Sequence, residues 1–151
     1  MDGRCLDPIV RRRMIGSMTS LDDLLDAARL ASRSAYCPYS KFHVGAAVLA
    51  GGRVFTGANV ENASYGLTIC AERTAAFAAI LAGAGRIEAV AVACVDAPEG
   101  SPPSLLMPCG ACRQVLAEFA DPSTPVAVDR AGVYRLDELL PLAFRLVGPG
   151  G

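Results

Sequence analysis

Two short stretches carry residue types that could do chemistry together. The first is Thr68-Ile69-Cys70-Ala71-Glu72-Arg73-Thr74-Ala75, the second Pro108-Cys109-Gly110-Ala111-Cys112-Arg113-Gln114. Between them they supply three thiols and one carboxylate. As thiolates, Cys70, Cys109 and Cys112 would hold a zinc ion and leave its fourth tetrahedral position open, which is the arrangement of a catalytic site; a structural site fills all four. The open position takes a water whose pKa falls toward neutrality on the metal. Glu72 stands two residues after a ligand, near the metal yet badly placed to bind it as well. That suits a proton shuttle, a role that contributes about 10²–10⁴-fold. Three thiolates give the ion a net negative charge and weaken it as a Lewis acid. Arg73 and Arg113 each directly follow a motif residue, and at least one is expected to donate to a metal-bound sulfur and restore acidity.

The spacing asks for helix starts. Cys109 and Cys112 are three apart, so at the head of a helix they share one side of the first turn. Cys70 also opens a helical stretch. Two converging N-termini, with their positive ends and free N–H groups, favour the thiolates that metal binding needs. Taken alone, Cys-x-x-Cys would equally describe a structural zinc half-site or a redox pair, and Cys-Ala-Glu would mean nothing. The combination, with Pro108 ahead of the second set, is what carries a mechanism. Cys94, in an apolar run, and Cys37, in a turn, read as small packing residues. Cys5 falls in the N-terminal stretch. His43, the sole histidine, reads as a packing or surface residue, because three thiols complete the protein's share of the site.

The elements that must position these groups follow in order. Ser20 is a plausible N-cap, with Asp22 and Asp23 suited to the positive end of a helix. Leu21, Leu24, Leu25, Ala28 and Ala31 then form one apolar helical face, broken at Tyr36-Cys37-Pro38. The runs 42–50 and 53–60 flank Gly51-Gly52, a hairpin signal. A polar loop over 59–66 leads to the first motif. A helix is expected over 70–81, ended by Gly83 to Gly85. The apolar run 87–95 reads as a strand covered on both faces. The stretch 96–108, with four prolines, reads as an irregular loop. A helix over 110–120, short strands at 126–128 and 133–135, and a last short helix near 137–140 complete the chain. A hairpin followed by alternating helix and strand argues for a three-layer α/β/α sandwich on a mixed five-stranded sheet.

Composition narrows the setting. At 151 residues the chain fits one domain, expected over 18–147, with a flexible extension over 1–17 and a disordered tail over 148–151. The start is Arg-rich and lacks the apolar core of a signal peptide, so a frayed extension preceding Met18 and a cytoplasmic location are expected. With 52% apolar and 19% charged residues, the excess being mostly Ala, the surface is short of charge, as when part of it is buried against other subunits. No run reaches the length of a membrane span. A net charge of −1 with scattered basic residues gives no nucleic-acid groove.

Cys-x-Glu followed by Pro-Cys-x-x-Cys is the three-cysteine form of the zinc deaminase signature. The chain resembles the small, homotetrameric cytidine deaminases from about Leu21 to Phe144. The likeness includes Tyr36 to Ala47, Asn59-Val60-Glu61-Asn62-Ala63-Ser64-Tyr65, both motifs, and Leu139-Leu140-Pro141-Leu142-Ala143-Phe144. It departs at Ala58, where relatives often carry Cys, at Gly66, and in its N-terminal extension. The resemblance implies zinc-dependent hydrolysis of cytidine and 2′-deoxycytidine to the uridines and ammonia, in pyrimidine salvage. Water would add to C4 while Glu72 protonates N3 and then the leaving amine. By the same likeness Phe42 would pack on the base, Asn59 and Glu61 would bond the ribose hydroxyls, and the Ala71 N–H would meet the base carbonyl. Ala63, Tyr65 and Phe144 would reach into a neighbouring subunit's pocket. A blasticidin S-type deaminase would keep the zinc residues, but Asn59, Glu61 and Ala63 to Tyr65 favour the ordinary nucleoside enzyme. A polynucleotide-editing deaminase would usually show His at position 70 and a basic groove. A non-catalytic zinc-binding scaffold of the same fold would have no need of Glu72.

Overall fold

The computed structural model describes residues 19–146. The expected extension over 1–17, Met18, Cys5 and the tail over 148–151 lie outside the described residues. The elements run α1 (Leu21–Ala31), β1 (Val44–Ala50), β2 (Arg53–Ala58), α2 (Ala71–Leu81), β3 (Ile87–Cys94), α3 (Pro103–Leu106), α4 (Gly110–Phe119), β4 (Pro125–Val128), β5 (Gly132–Arg135) and α5 (Leu136–Leu139). Ser20 caps α1 through a reciprocal box with Asp23. Gly51 and Gly52 turn the β1–β2 hairpin at φ 54° and 68°, the left-handed pair that a two-residue turn requires. The proline-rich stretch after β3 is less irregular than its composition suggests. Pro102 and Pro103 set the φ values of a helix start, and one turn forms as α3.

The strands order as β2-β1-β3-β4-β5, antiparallel except for the parallel pair β3–β4. That is the expected mixed five-stranded sheet between helical layers. Its two faces differ in a way that strand alternation makes plain. Ala46, Val48, Ala50, Val90, Val92, Cys94, Val126 and Val128 point to one side and pack with α2, α4, Leu106 of α3 and Leu136 of α5. Ala47, Ala89, Ala91, Ala93 and Ala127 point to the other and meet only Leu24 and Ala28 of α1 among fully buried partners. Much of the alanine excess therefore lines the interior. Small side chains let α1 lie close on its face, close enough that a Cβ on Gly45 would fall 1.9 Å from the Ala28 carbonyl oxygen. The layer on the opposite face carries both candidate motifs.

Candidate metal centre

Cys70 and Cys109 are the N-cap residues of α2 and α4, and Cys112 sits in the first turn of α4. Neither cap thiol accepts a capping bond from the main chain of its own helix, so both are free to face each other. Sγ of Cys109 lies 3.5 Å from that of Cys112 and 3.9 Å from that of Cys70. All three sulfurs fall within 4.8 Å of one another. A tetrahedral zinc with sulfur ligands at ~2.3 Å needs sulfurs about 3.8 Å apart. The cluster fits zinc in both spacing and donor type, and no fourth protein ligand belongs to it among the described residues. Cys112 is buried and Cys109 exposed, so the centre is open on one side.

Electrostatics favours loading. Cys70 is held down to about 5 by the hydrogen bond from Cys112, with Arg73 adding to it. Cys112, giving that bond, is pushed up because its proton is shared with Cys70, and burial adds to the rise. The environment thus favours a thiolate at Cys70 over one at Cys112, and a divalent cation would displace the remaining protons. Chelation is expected to free these thiols for labelling by a thiol reagent, with Cys70 and Cys109 modified before the buried Cys112. Equal labelling before and after chelation would count against the metal centre.

Glu72, in the first turn of α2, is 4% exposed. Burial raises its pKa to about 7, partly opposed by a backbone N–H bond at its own position and reinforced by the Cys70 charge. Its proton affinity is therefore set where a group can both take and give a proton near neutral pH. The two arginines part company. Nη2 of Arg73 donates to the Thr68 carbonyl at 3.1 Å and lies 3.6 Å from Cys70 Sγ, while its Nε is buried without a partner among the described residues. Arg113 instead donates to the main-chain carbonyls of Pro108 and Leu139, at 2.7 and 2.8 Å. Its bonds hold the backbone leading into Cys109; the sequence leaves open which of the two arginines donates to sulfur.

The upstream loop is fastened to the centre. Val60 and Ile69 exchange two backbone bonds at 2.9 Å, so the 59–61 segment runs beside the residue preceding Cys70. Asn59 is buried and already engaged. Its oxygen accepts from the Val44 N–H and its amide donates to the Phe42 carbonyl, both at 2.9 Å. Glu61 accepts from the N–H groups of Tyr39 and Ser40 and from the Ser40 hydroxyl. Those bonds, the hydroxyl's first, keep the Glu61 carboxyl below its ordinary range. Phe42 is partly buried against the main core, and Ala71 is fully buried. Ala63 is exposed. Tyr65 and Phe144 stand 77% and 71% exposed, and the Tyr65 and Tyr39 rings meet edge to face, 6.2 Å between centroids. His43 bonds Asp96 through its backbone N–H and Nδ1, a surface role as expected. Cys94 and Cys37 are buried packing residues.

Two positioning groups, Thr74 within the first motif and Gly57 upstream of it, have no role that the sequence pattern assigns. Thr74 Oγ1 lies 2.8 to 3.1 Å from the carbonyls of Ala58, Cys70 and Ala71, joining the end of β2 to the first turn of α2. Gly57 permits that approach, since its Cβ would lie 2.4 Å from the Ala75 nitrogen. A small hydroxyl or a glycine beside a helix is too common a pattern to read from one sequence.

Comparison with known proteins agrees with this geometry. A family model described as the cytidine and deoxycytidylate deaminase zinc-binding region matches residues 18–128. Cytidine deaminase of Mycobacterium tuberculosis H37Rv is 50% identical over 121 residues, 79% of this chain and 85% of the relative. That of Halalkalibacterium halodurans is 48% identical over 126 residues, covering 80% and 91%. The crystal structure of cytidine deaminase from Burkholderia pseudomallei aligns with a TM-score of 0.72 at 45% identity, over 82% of this chain and 98% of that one. The M. tuberculosis crystal structure gives 0.72 at 46% identity, over 83% and 97%.

Proposed function

This chain belongs to the cytidine and deoxycytidylate deaminase family, and from that premise we propose that it hydrolyses cytidine and 2′-deoxycytidine to the uridines and ammonia in pyrimidine salvage. The single observation that carries the reading is the trio of sulfurs at the heads of α2 and α4 with the buried Glu72 beside it. Cys70, Cys109 and Cys112 would hold the zinc, which when bound supplies Lewis acidity for activating water near neutral pH. Glu72 takes a proton from the attacking water and delivers it to N3 of the pyrimidine. A second transfer through the same carboxyl reaches the amine leaving C4, so one water is consumed and one ammonia released. Its pKa of about 7 supports both directions of transfer. The Ala71 N–H, among the first of α2 and without an intrahelical acceptor, suits the base carbonyl.

Phe42, Asn59 and Glu61 form the nucleoside side of the pocket. Asn59 keeps one amide proton and one lone pair beyond its two main-chain bonds, and Glu61 retains acceptor capacity for a ribose hydroxyl. Ala63, Tyr65 and Phe144 are exposed in the single chain, which supports a homotetramer in which they enter a neighbour's pocket. Among the described residues no helix is long and apolar enough to cross a membrane, and we place the enzyme in the cytoplasm.

The decisive assay follows loss of cytidine's ultraviolet absorbance by zinc-loaded protein, with deoxycytidine and blasticidin S in parallel. Turnover of both pyrimidine nucleosides is expected; zinc-loaded oligomer that leaves both unchanged would overturn the reading. For the sulfurs, Arg73→Ala is expected to lower kcat by roughly tenfold, the factor for one lost charge-assisted bond. Unchanged kcat and zinc affinity would remove Arg73 from the site.

A further inference from the structure

The last described stretch, 140–146, follows α5 without helix or strand. Leu140 and Ala143 rest partly buried on the main core, whereas Leu142, Phe144 and Leu146 are 96%, 71% and 86% exposed, so core packing does not by itself hold Phe144. Three hydrogen bonds from α4 run to it and its root. Arg113 Nη1 donates to the Leu139 carbonyl at 2.8 Å. Gln114 Nε2 donates to the Phe144 carbonyl at 2.8 Å, and the Phe144 N–H donates to Gln114 Oε1 at 3.2 Å.

We propose that Gln114 is a positioning residue for substrate binding: its carboxamide clamps both main-chain groups of Phe144 and so sets where the Phe144 ring enters the neighbouring subunit's pocket. The inference rests on the reading above that Phe144 works in that neighbour. A carboxamide presents a donor and an acceptor side by side, which among side chains only Gln and Asn do without a change of protonation. The Phe144 main chain offers the complementary pair, as an edge strand would. Asn at this place is one methylene shorter and cannot reach both.

Position matters as much as chemistry. Gln114 lies two residues past Cys112 on the same helix, and Arg113 between them holds both the Pro108 carbonyl and the arm's root. The arm that one subunit offers is thus registered against its own metal helix. Core packing reaches the segment at Leu140 and Ala143 but not at Phe144 itself, and a ring on a residue held only from one side would sample more positions and lose binding free energy to ordering. With both main-chain groups of its residue fixed, the ring keeps only its own side-chain rotations.

The test separates an effect in trans from damage to the local metal helix. Gln114→Ala is expected to bind zinc and assemble normally, to raise KM for cytidine roughly tenfold and to leave kcat nearly unchanged, the pattern of lost binding shared by ground and transition states. Gln114→Ala with Phe144→Ala should be no worse than Phe144→Ala alone. In mixed tetramers of Gln114→Ala and Glu72→Gln chains, the competent acid–base groups belong to Gln114→Ala subunits, while native arms come from their partners. A low-KM component should return. A native KM in Gln114→Ala, an additive double variant, or a raised KM that mixing does not restore would each overturn the clamp. Should Gln114→Ala fail to assemble, Gln114→Glu keeps the acceptor for the Phe144 N–H but sets a carboxylate against its carbonyl, and a native KM there overturns the proposal equally. Phe144→Ala at native KM would sink the reading of Phe144 itself; a raised KM in that variant alone sinks only the role of Gln114.

Discussion

Glu72→Gln is expected to keep the metal and the fold while lowering turnover by about 10²–10⁴-fold, the usual contribution of a positioned proton carrier. The substitution is nearly isosteric and replaces a side chain that is 4% exposed. It leaves the three sulfurs intact, so zinc content should match the native protein. What it removes is the ability to alternate between proton states. That ability depends on burial, which brings the carboxyl to about 7 and makes both halves of the cycle accessible near neutral pH. A second, independent consequence concerns the metal-free protein. A carboxyl whose folded pKa lies above its ordinary 4.5 binds more protons folded than unfolded between those values. The contribution of Glu72 to the stability of the metal-free form should therefore fall as pH rises from about 4.5 to about 7 and level off above, while Cys70, whose pKa is depressed, contributes in the opposite direction. Gln cannot ionise, so the variant's metal-free form should lose that part of the slope. Metal analysis, saturating turnover and unfolding across pH check the three statements. A kcat within tenfold of native would remove Glu72 as the proton carrier.

The metal cluster was readable because its information is local. Cys109 and Cys112 declare a helix start by spacing, and Cys70 with Glu72 repeats the arrangement at another helix, where both cap positions are found. The hairpin was equally plain, since Gly51 and Gly52 supply positive φ between two apolar runs. What the residues could not announce are approaches between elements distant in sequence. Asn59 and Glu61 read as ordinary polar loop residues apart from the family likeness, and their bonds to Phe42, Val44 and the Ser40 turn depend on how the loop folds back over β1. Arg113 directly follows a motif residue just as Arg73 does. Only the course of the C-terminal segment sends its donors to carbonyls. The alanine excess was legible as composition but not as placement, and many of the alanines allow α1 and α2 to sit close on the sheet. Tightness between layers is a property of two surfaces, and one sequence shows each surface separately.

That tightness bears on the site through Gly57. A methyl there would lie 2.4 Å from the Ala75 nitrogen, 2.7 Å from the Ala71 carbonyl oxygen and 2.9 Å from the Thr74 carbonyl carbon. All three are backbone atoms of the helix that begins at Cys70, and none can swing aside as a side-chain tip could. Gly57→Ala must therefore push α2 off β2, at a cost of about 1–3 kcal/mol for an overpacked contact. The displacement also breaks the Thr74 link to Ala58 and carries Ala71 and Glu72 with it. A shift of ~1 Å in such groups costs about 10²-fold in rate. Gly45→Ala provides the control. Its methyl would fall 1.9 Å from the Ala28 carbonyl oxygen, so the clash is at least as severe, but α1 carries none of the candidate site residues. Both variants should unfold at lower denaturant concentration. Only Gly57→Ala should lose activity and zinc affinity per folded molecule. Folded fraction and zinc-normalised kcat, measured together, decide the matter. Native kcat and zinc affinity in Gly57→Ala would mean that the β2–α2 approach stabilises the fold without setting the geometry of the metal centre.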